Sequence, residues 1–412
     1  MPYLIKSNSV SIGYVGTYTL ETIPTQILSL ATQSLISTQP DGKPVPSLAS
    51  HWTISQDGKD YLVFLKDNLT WHDGTAVDAK DISIAISNVQ ITALNNKAIE
   101  FKLPNPVSSF PQALDKPVFK AKSFYGTGKF RIVNIQQTTN NIVKRIQLVP
   151  KDKDLPKVDI RFYPTEEQTI EALKVGEVKS ATVSLAENLK NWPNLEVKKI
   201  TDETELITVF YNNSDKFLSS RDIRQALSYS INKSSFEGES ATSPISGSSW
   251  AFNQNVKKYD YNIAKAKELL AKANPPHPKI KLSFTPGMET IAEKIQKNWQ
   301  EAGVDVTLES QKTIPGEFQA FLTVNRLMPD PDQYSLWHST QKTTNITGYK
   351  NVKVDKLLED ARSTQDENNR KELYFDFQKF LVEDAPATFL YHPYKYEITY
   401  KNAKTLIDKI TN

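Results

Sequence analysis

Two stretches of this chain, lying more than a hundred residues apart, each read strand, helix, strand. In the first, Val158, Ile160 and Phe162 alternate as in a strand, and Thr165 with Gln168 makes a capping box. Ile170 and Leu173 mark a helix face, Gly176 ends the helix, and "SATVSL" reads as a second strand. In the second, Ile280, Leu282 and Phe284 alternate, Ile291, Ile295 and Trp299 stack at i, i+4, i+8, Gly303 stops the helix, and Val304, Val306 and Leu308 alternate again. Two such units at this separation predict two α/β lobes. Between them lie the strand "ELITVFYNN" and the helix "DIRQALSYSI", whose Ile223, Leu227 and Ile231 share one face, so the lobe boundary is expected near 205–212. Upstream, Asp57-Gly58 between two β-rich runs predicts a hairpin within a β-rich unit at about 40–75.

Bulk properties narrow the function classes. A length of 412 residues suits two or three compact units. Fifty basic against 47 acidic side chains, a net charge of +3, is too balanced to imply nucleic acid. No apolar run approaches the ~20 residues of a membrane span. The stretch "MPYLIKSNSV" carries neither the basic nor the apolar region of a signal peptide, which a chain read after removal of one would also show. With no cysteine, thiolate zinc sites and cysteine nucleophiles are out of reach.

Catalytic signatures are missing. There is no G-x-S-x-G, H-E-x-x-H, Walker A loop, Rossmann glycine triplet or EF-hand loop, and "GTGKF" at 126–130 lacks a third glycine and a following helix. The histidines stand scattered at 51, 72, 277, 338 and 392, and "NPPHP" at 274–278 reads as a Pro-rich turn. His72 beside Asp73 invites a catalytic reading, but Trp71-His72-Asp73-Gly74 has turn chemistry, and Asp78 with Asp81 reads as a helix start. Glu166 and Glu167 would be a poor acid pair for a hydrolase, since neighbours in a first helical turn point apart. Asp330 and Asp332 suit turn and cap roles better than calcium.

The residues resemble a known family. "PDGKPVPSLASHWTISQDGKDYLVFLKDNLTWHDGTAVDAKDI" is similar to the N-terminal signature of the extracellular solute-binding proteins family 5, which includes the oligopeptide- and dipeptide-binding components of ABC importers. The likeness continues in family order through "GTGKFRIV", "EALKVGEV", "RDIRQALSYSIN", "YDYNIAKAKELL", "PDPDQY", "GYKNVKVDKLLEDAR" and "DAPATFLYHP". It implies a two-lobed periplasmic-binding-protein-like α/β fold (class II, cluster C type). The first lobe would span 1–205 plus 393–412, with an extra β-rich subdomain at 37–118, and the second lobe 206–392. Crossings are expected near 205–212 and 386–394. The implied protein is no enzyme and holds no cofactor or metal. It is an extracytoplasmic monomer, lipid-anchored in its precursor, that captures a peptide by hinge closure and delivers it to ABC permease subunits. A non-peptide solute, an oligosaccharide or a metal chelate, is the alternative.

The same resemblance places the ligand contacts: Tyr18 and Thr19 after the first strand, Tyr211 and Asn212 at the first crossing, and Trp250 in a loop beside the cavity. Asn325, Arg326 and Leu327, Tyr334 and Trp337, and Tyr391 on the return complete the set. Leu327 stands where peptide-binding relatives place an Asp that pairs with the peptide α-ammonium, which puts recognition of a free amine in doubt. Arg326 would then face a ligand carboxylate or phosphate, or else lie on the lobe surface or pair with Asp330.

Overall fold

The computed structural model describes residues 8–187, 189–273 and 278–411. His277 and all of the expected Pro-rich turn except Pro278 lie outside the described residues. Among those residues twelve strands form one sheet in which ten follow a single path. Along it run Asp305–Ser310, Lys279–Phe284, Ala320–Arg326, Glu205–Tyr211, Ala387–Tyr400, Ser180–Val183, Ser9–Val15, Lys157–Tyr163, Val143–Pro150 and Phe130–Gln137. The 14-residue strand Ala387–Tyr400 divides this order into two halves: residues 387–391 pair with Glu205–Tyr211, while residues 394–400 pair with Leu195–Thr201 and 396–399 with Ser180–Val183. The chain therefore crosses between halves twice, at 202–204 and within the long strand.

The second half shows why its strands lack polar alternation. In "LITVFY" every residue is buried, because successive side chains enter opposite cores. Ile207, Val209 and Tyr211 join Trp299 and Ile295 on one face, while Leu206 and Phe210 join Trp337, Tyr374 and Phe377 on the other. The second strand–helix–strand unit read from sequence is present as Lys279–Phe284, helix Glu289–Glu301 and Asp305–Ser310, with the two strands adjacent and parallel. Gly303 closes the helix at φ +97°, a conformation open to glycine at little cost.

The first βαβ unit differs from expectation in one respect. Its strands, Lys157–Tyr163 and Ser180–Val183, are not neighbours; Ser9–Val15 lies between them, parallel to both. Thr165 caps the intervening helix Glu166–Lys174 by accepting from the Gln168 N–H. A strand inserted from more than a hundred residues upstream leaves no local mark on the unit it enters.

A separate four-stranded sheet carries the β-rich region, with the Asp57-Gly58 hairpin joining Ala49–Ile54 to Asp60–Leu65. Trp71-His72-Asp73-Gly74 forms a turn closed by the Gly74 N–H to the Trp71 carbonyl. Both ring nitrogens of His72 are taken: Nδ1 accepts from the Gly126 N–H and Nε2 donates to the Gly128 carbonyl, each at 3.1 Å. Burial pushes this imidazole below its ordinary range, and the neutral Nε2–H tautomer is the one both bonds require. His72 is thus a clamp between the turn and "GTGKF". The helix start read at Asp78 is corrected to a single 3-10 turn, Ala79–Asp81, capped by Asp78 through the Lys80 N–H. The β-branched alternation that follows offers no helix face, and Ile82 bridges to Lys120 instead.

Candidate ligand-binding cleft

Where the two halves meet, the crossing strands bring unlike charges together. Lys395 on the long strand pairs with Asp202 and lies 3.6 Å from Glu205. Burial opposes both charges, yet the pairing holds the Lys395 ammonium above its ordinary value and, with Thr204, the Asp202 carboxyl below its own. Lys395 and Glu205 of this cluster line a cavity of about 440 Å³. Residues 12–15 of the first strand, residues 180–184, Glu166 and Arg326 complete the lining; Glu205 and Arg326 come from the second half.

The location follows the general rule that ligands of α/β sheets lie at the carboxyl ends of parallel strands. Along Ser180–Val183, Ala181 and Val183 are buried in the core, while Ser180, Thr182 and then Ser184 alternate out of it and line the cavity. Glu166 accepts from the Ser184 and Leu185 N–H groups at 3.0 and 2.9 Å, fixing the loop after that strand to the helix start. That is a structural use of the carboxylate, not the geometry of an acid catalyst. Gly16 ends the first strand at φ +129°, where a Cβ would meet the Tyr18 hydroxyl at 2.5 Å. A larger cavity of about 920 Å³ lies behind the first strand, but residues of the first half alone line it, so closure of the two halves would not act on it.

Of the residues expected at the ligand, Arg326 lines this cavity. Its guanidinium has no acidic partner among the described residues, because Asp330, one expected partner, is taken by Arg370. Glu205 opposes Arg326 across the strands, but the carboxylate lies beside Lys395. Leu327 packs against the second core and borders a small separate pocket of about 80 Å³. Tyr211 and Trp337 are fully buried core side chains; the Tyr211 hydroxyl is 2.7 Å from that of Thr388, and Trp337 donates to Gln333. Tyr391 is buried and stacked on Phe236 at 5.3 Å. Asn212 donates to the Phe318 carbonyl, and Tyr18 donates to Val15 and meets Phe162 edge-on. Thr19 belongs to a turn with Thr22. Trp250 packs on Tyr374, and Tyr334 stacks on His338 beneath Arg362. Asn325 is buried, with an Nδ2 that finds no partner among the described residues.

Sequence reasoning missed Lys395, Glu205 and the hydroxyl row. The row was readable: Ser-Ala-Thr-Val-Ser alternates small polar with apolar residues, a strand with one wet face. Asp332, by contrast, takes the expected turn role, accepting from the Tyr334 N–H two residues on, while also binding Arg362.

Comparison with known proteins adds the family. The profile of the bacterial extracellular solute-binding proteins, family 5 Middle, matches residues 43–89 and 84–346. The oligopeptide-binding protein AppA of Bacillus subtilis is 28% identical over 324 residues, 68% of this chain and 59% of its own length. Its structure in complex with a nonapeptide superposes with a TM-score of 0.71 at 22% identity, covering 96% of this chain and 94% of that one. The nickel ABC transporter structure from Bacillus halodurans gives a TM-score of 0.82 at 17% identity over 96% of this chain and 95% of that one. The fold is the two-lobed one of these proteins. The chain, matched by the profile over most of its length, belongs to the bacterial extracellular solute-binding proteins of family 5.

Proposed function

We propose that this protein captures peptides outside the cytoplasm and hands them to the permease of an ABC importer. The observation that carries the reading is the cavity at the two crossings, walled by both halves of the sheet and by Lys395 of the strand that joins them. The first lobe, expected over 1–205 plus 393–412 with 37–118 as its β-rich subdomain, ends in this reading at the 202–204 crossing, so that Glu205 belongs with 206–392 in the other lobe. Rotation about 202–204 and 392–394 opens and closes the cavity, and a ligand touching both walls selects the closed state. A volume of about 440 Å³ suits a small ligand. Peptide main chain finds donors and acceptors at the first strand's end and along the hydroxyls of Ser180, Thr182 and Ser184, which recognise backbone without demanding one sequence. The family and the peptide-binding relatives support this assignment.

The test is thermal unfolding with a random pentapeptide library, a nickel–histidine complex and a maltooligosaccharide, each added separately. At a hundred times its dissociation constant a ligand adds ~2.7 kcal/mol to folding stability. Stabilisation by the peptide library alone is expected. Stabilisation by the nickel complex or the sugar alone refutes the peptide assignment and keeps the architecture.

A further inference from the structure

The charges lining the cleft are unequally satisfied. Glu166 already accepts two backbone N–H groups, and Glu205 lies beside Lys395, which itself pairs with Asp202. Arg326 is the cavity-lining charge left without a counter-ion among the described residues. While the cleft is open, water solvates this guanidinium at little cost. Closure on a ligand removes that water, and an uncompensated charge then opposes closing. A ligand that brings a carboxylate to Arg326 removes the penalty and gains a bidentate, charge-assisted contact. An ammonium at the same place meets the guanidinium and no uncommitted carboxylate.

We infer that the cleft selects its ligand by a carboxylate, held by Arg326, and not by a free amine. This rests on the peptide reading and deepens it: the specificity-determining end of the peptide is the C-terminus or an acidic side chain. Arg326 is exposed at the end of its strand, so its replacement leaves the cores intact. The other side chain on the same strand end, Leu327, is apolar and directed to the second core, and offers nothing to an amine.

The experiment is native mass spectrometry of the protein mixed with two N-acetylated pentapeptide libraries of the same random composition. One ends in free carboxylates, the other in amides. Wild type is expected to retain free acids about ten- to a hundredfold over amides lacking Asp and Glu, the range of one charge-assisted contact. Arg326→Met should retain both at the level of those amides, and Arg326→Lys should fall between, keeping the charge and losing the fork. Selective retention of amides that contain Asp or Glu would support the carboxylate and place it on a side chain. Equal retention of free acids and non-acidic amides by wild type, or unchanged discrimination in Arg326→Met, would overturn the inference while leaving peptide capture standing. Retention of neither library by wild type would refute the peptide reading itself and this inference with it.

Discussion

Replacing Arg370 by Met should be among the most damaging single changes in the second lobe. Its guanidinium grips Asp330 in a fork, Nη1 to Oδ2 at 3.0 Å and Nη2 to Oδ1 at 2.7 Å, with the two side chains only 7% and 6% exposed. Two further donors go to the Ala361 carbonyl at 3.1 Å and the Tyr374 hydroxyl at 3.1 Å. Asp330 lies four residues beyond Arg326, so the pair also anchors the segment that leaves the cleft. Met fills similar space but leaves a carboxylate in the core without a cation, a loss of ~3–5 kcal/mol. The double change Asp330→Leu with Arg370→Met removes both charges and should recover all but about 1–2 kcal/mol, because a buried pair is worth little against well-packed apolar groups. Urea unfolding followed by tryptophan fluorescence measures both, with Trp250 and Trp337 in the affected core. Burial already pushes the Asp330 carboxyl up against the pull of Arg370. Without Arg370 the folded-state value rises further above the unfolded one, the native state then binds the extra proton, and stability should fall as pH rises. Arg370→Met should therefore be weaker at pH 8 than at pH 5. A loss below about 1 kcal/mol, or a double variant no more stable than the single one, would refute the reasoning.

His72→Ala should lower stability by ~2 kcal/mol, from two ring hydrogen bonds and the half-buried ring, and leave ligand affinity unchanged. Denaturant unfolding and calorimetric titration read the two effects, and an affinity loss without destabilisation would move His72 into the site. Lys233 donates to the Ala241 carbonyl at 2.8 Å, and burial brings its ammonium down to about 8 from an ordinary value of 10.5. The folded value lies below the unfolded one, so the unfolded chain binds more protons between pH 8 and 10.5, and stability attributable to this group should rise across that window. Lys233→Met should remove roughly 2 kcal/mol of that rise, discounted for partial exposure, in pH-dependent unfolding compared with wild type. Identical pH profiles of the two proteins would contradict it.

Much of this architecture was legible locally, because local physics determines it. The alternation in "KIKLSF", the stack of Ile291, Ile295 and Trp299, and the positive φ at Gly58 and Gly303 each follow from neighbours in sequence. The insertion of Ser9–Val15 between the strands of the first βαβ unit was not, since parallel pairing depends on distant segments. The cleft was harder still. Family position placed Tyr211, Trp337 and Tyr391 among the ligand contacts, but their size makes them good core fillers, and the structure buries all three. Arg326, singled out as a charge beside an unexpected leucine, lines the cavity. Lys395 and Glu205 escaped notice because they meet only through two strands nearly two hundred residues apart.

The central claim, that peptide sits between the two halves at the crossings, is tested most directly by filling that space. Thr182 is exposed, lines the cavity and belongs to no core, so Thr182→Trp blocks the cleft without disturbing packing. Native mass spectrometry with the free-acid pentapeptide library should show bound peptide on wild type and none on Thr182→Trp, at equal melting temperatures. Equal retention by both proteins would contradict the account and put the ligand elsewhere, with the 920 Å³ cavity behind the first strand the next place to look.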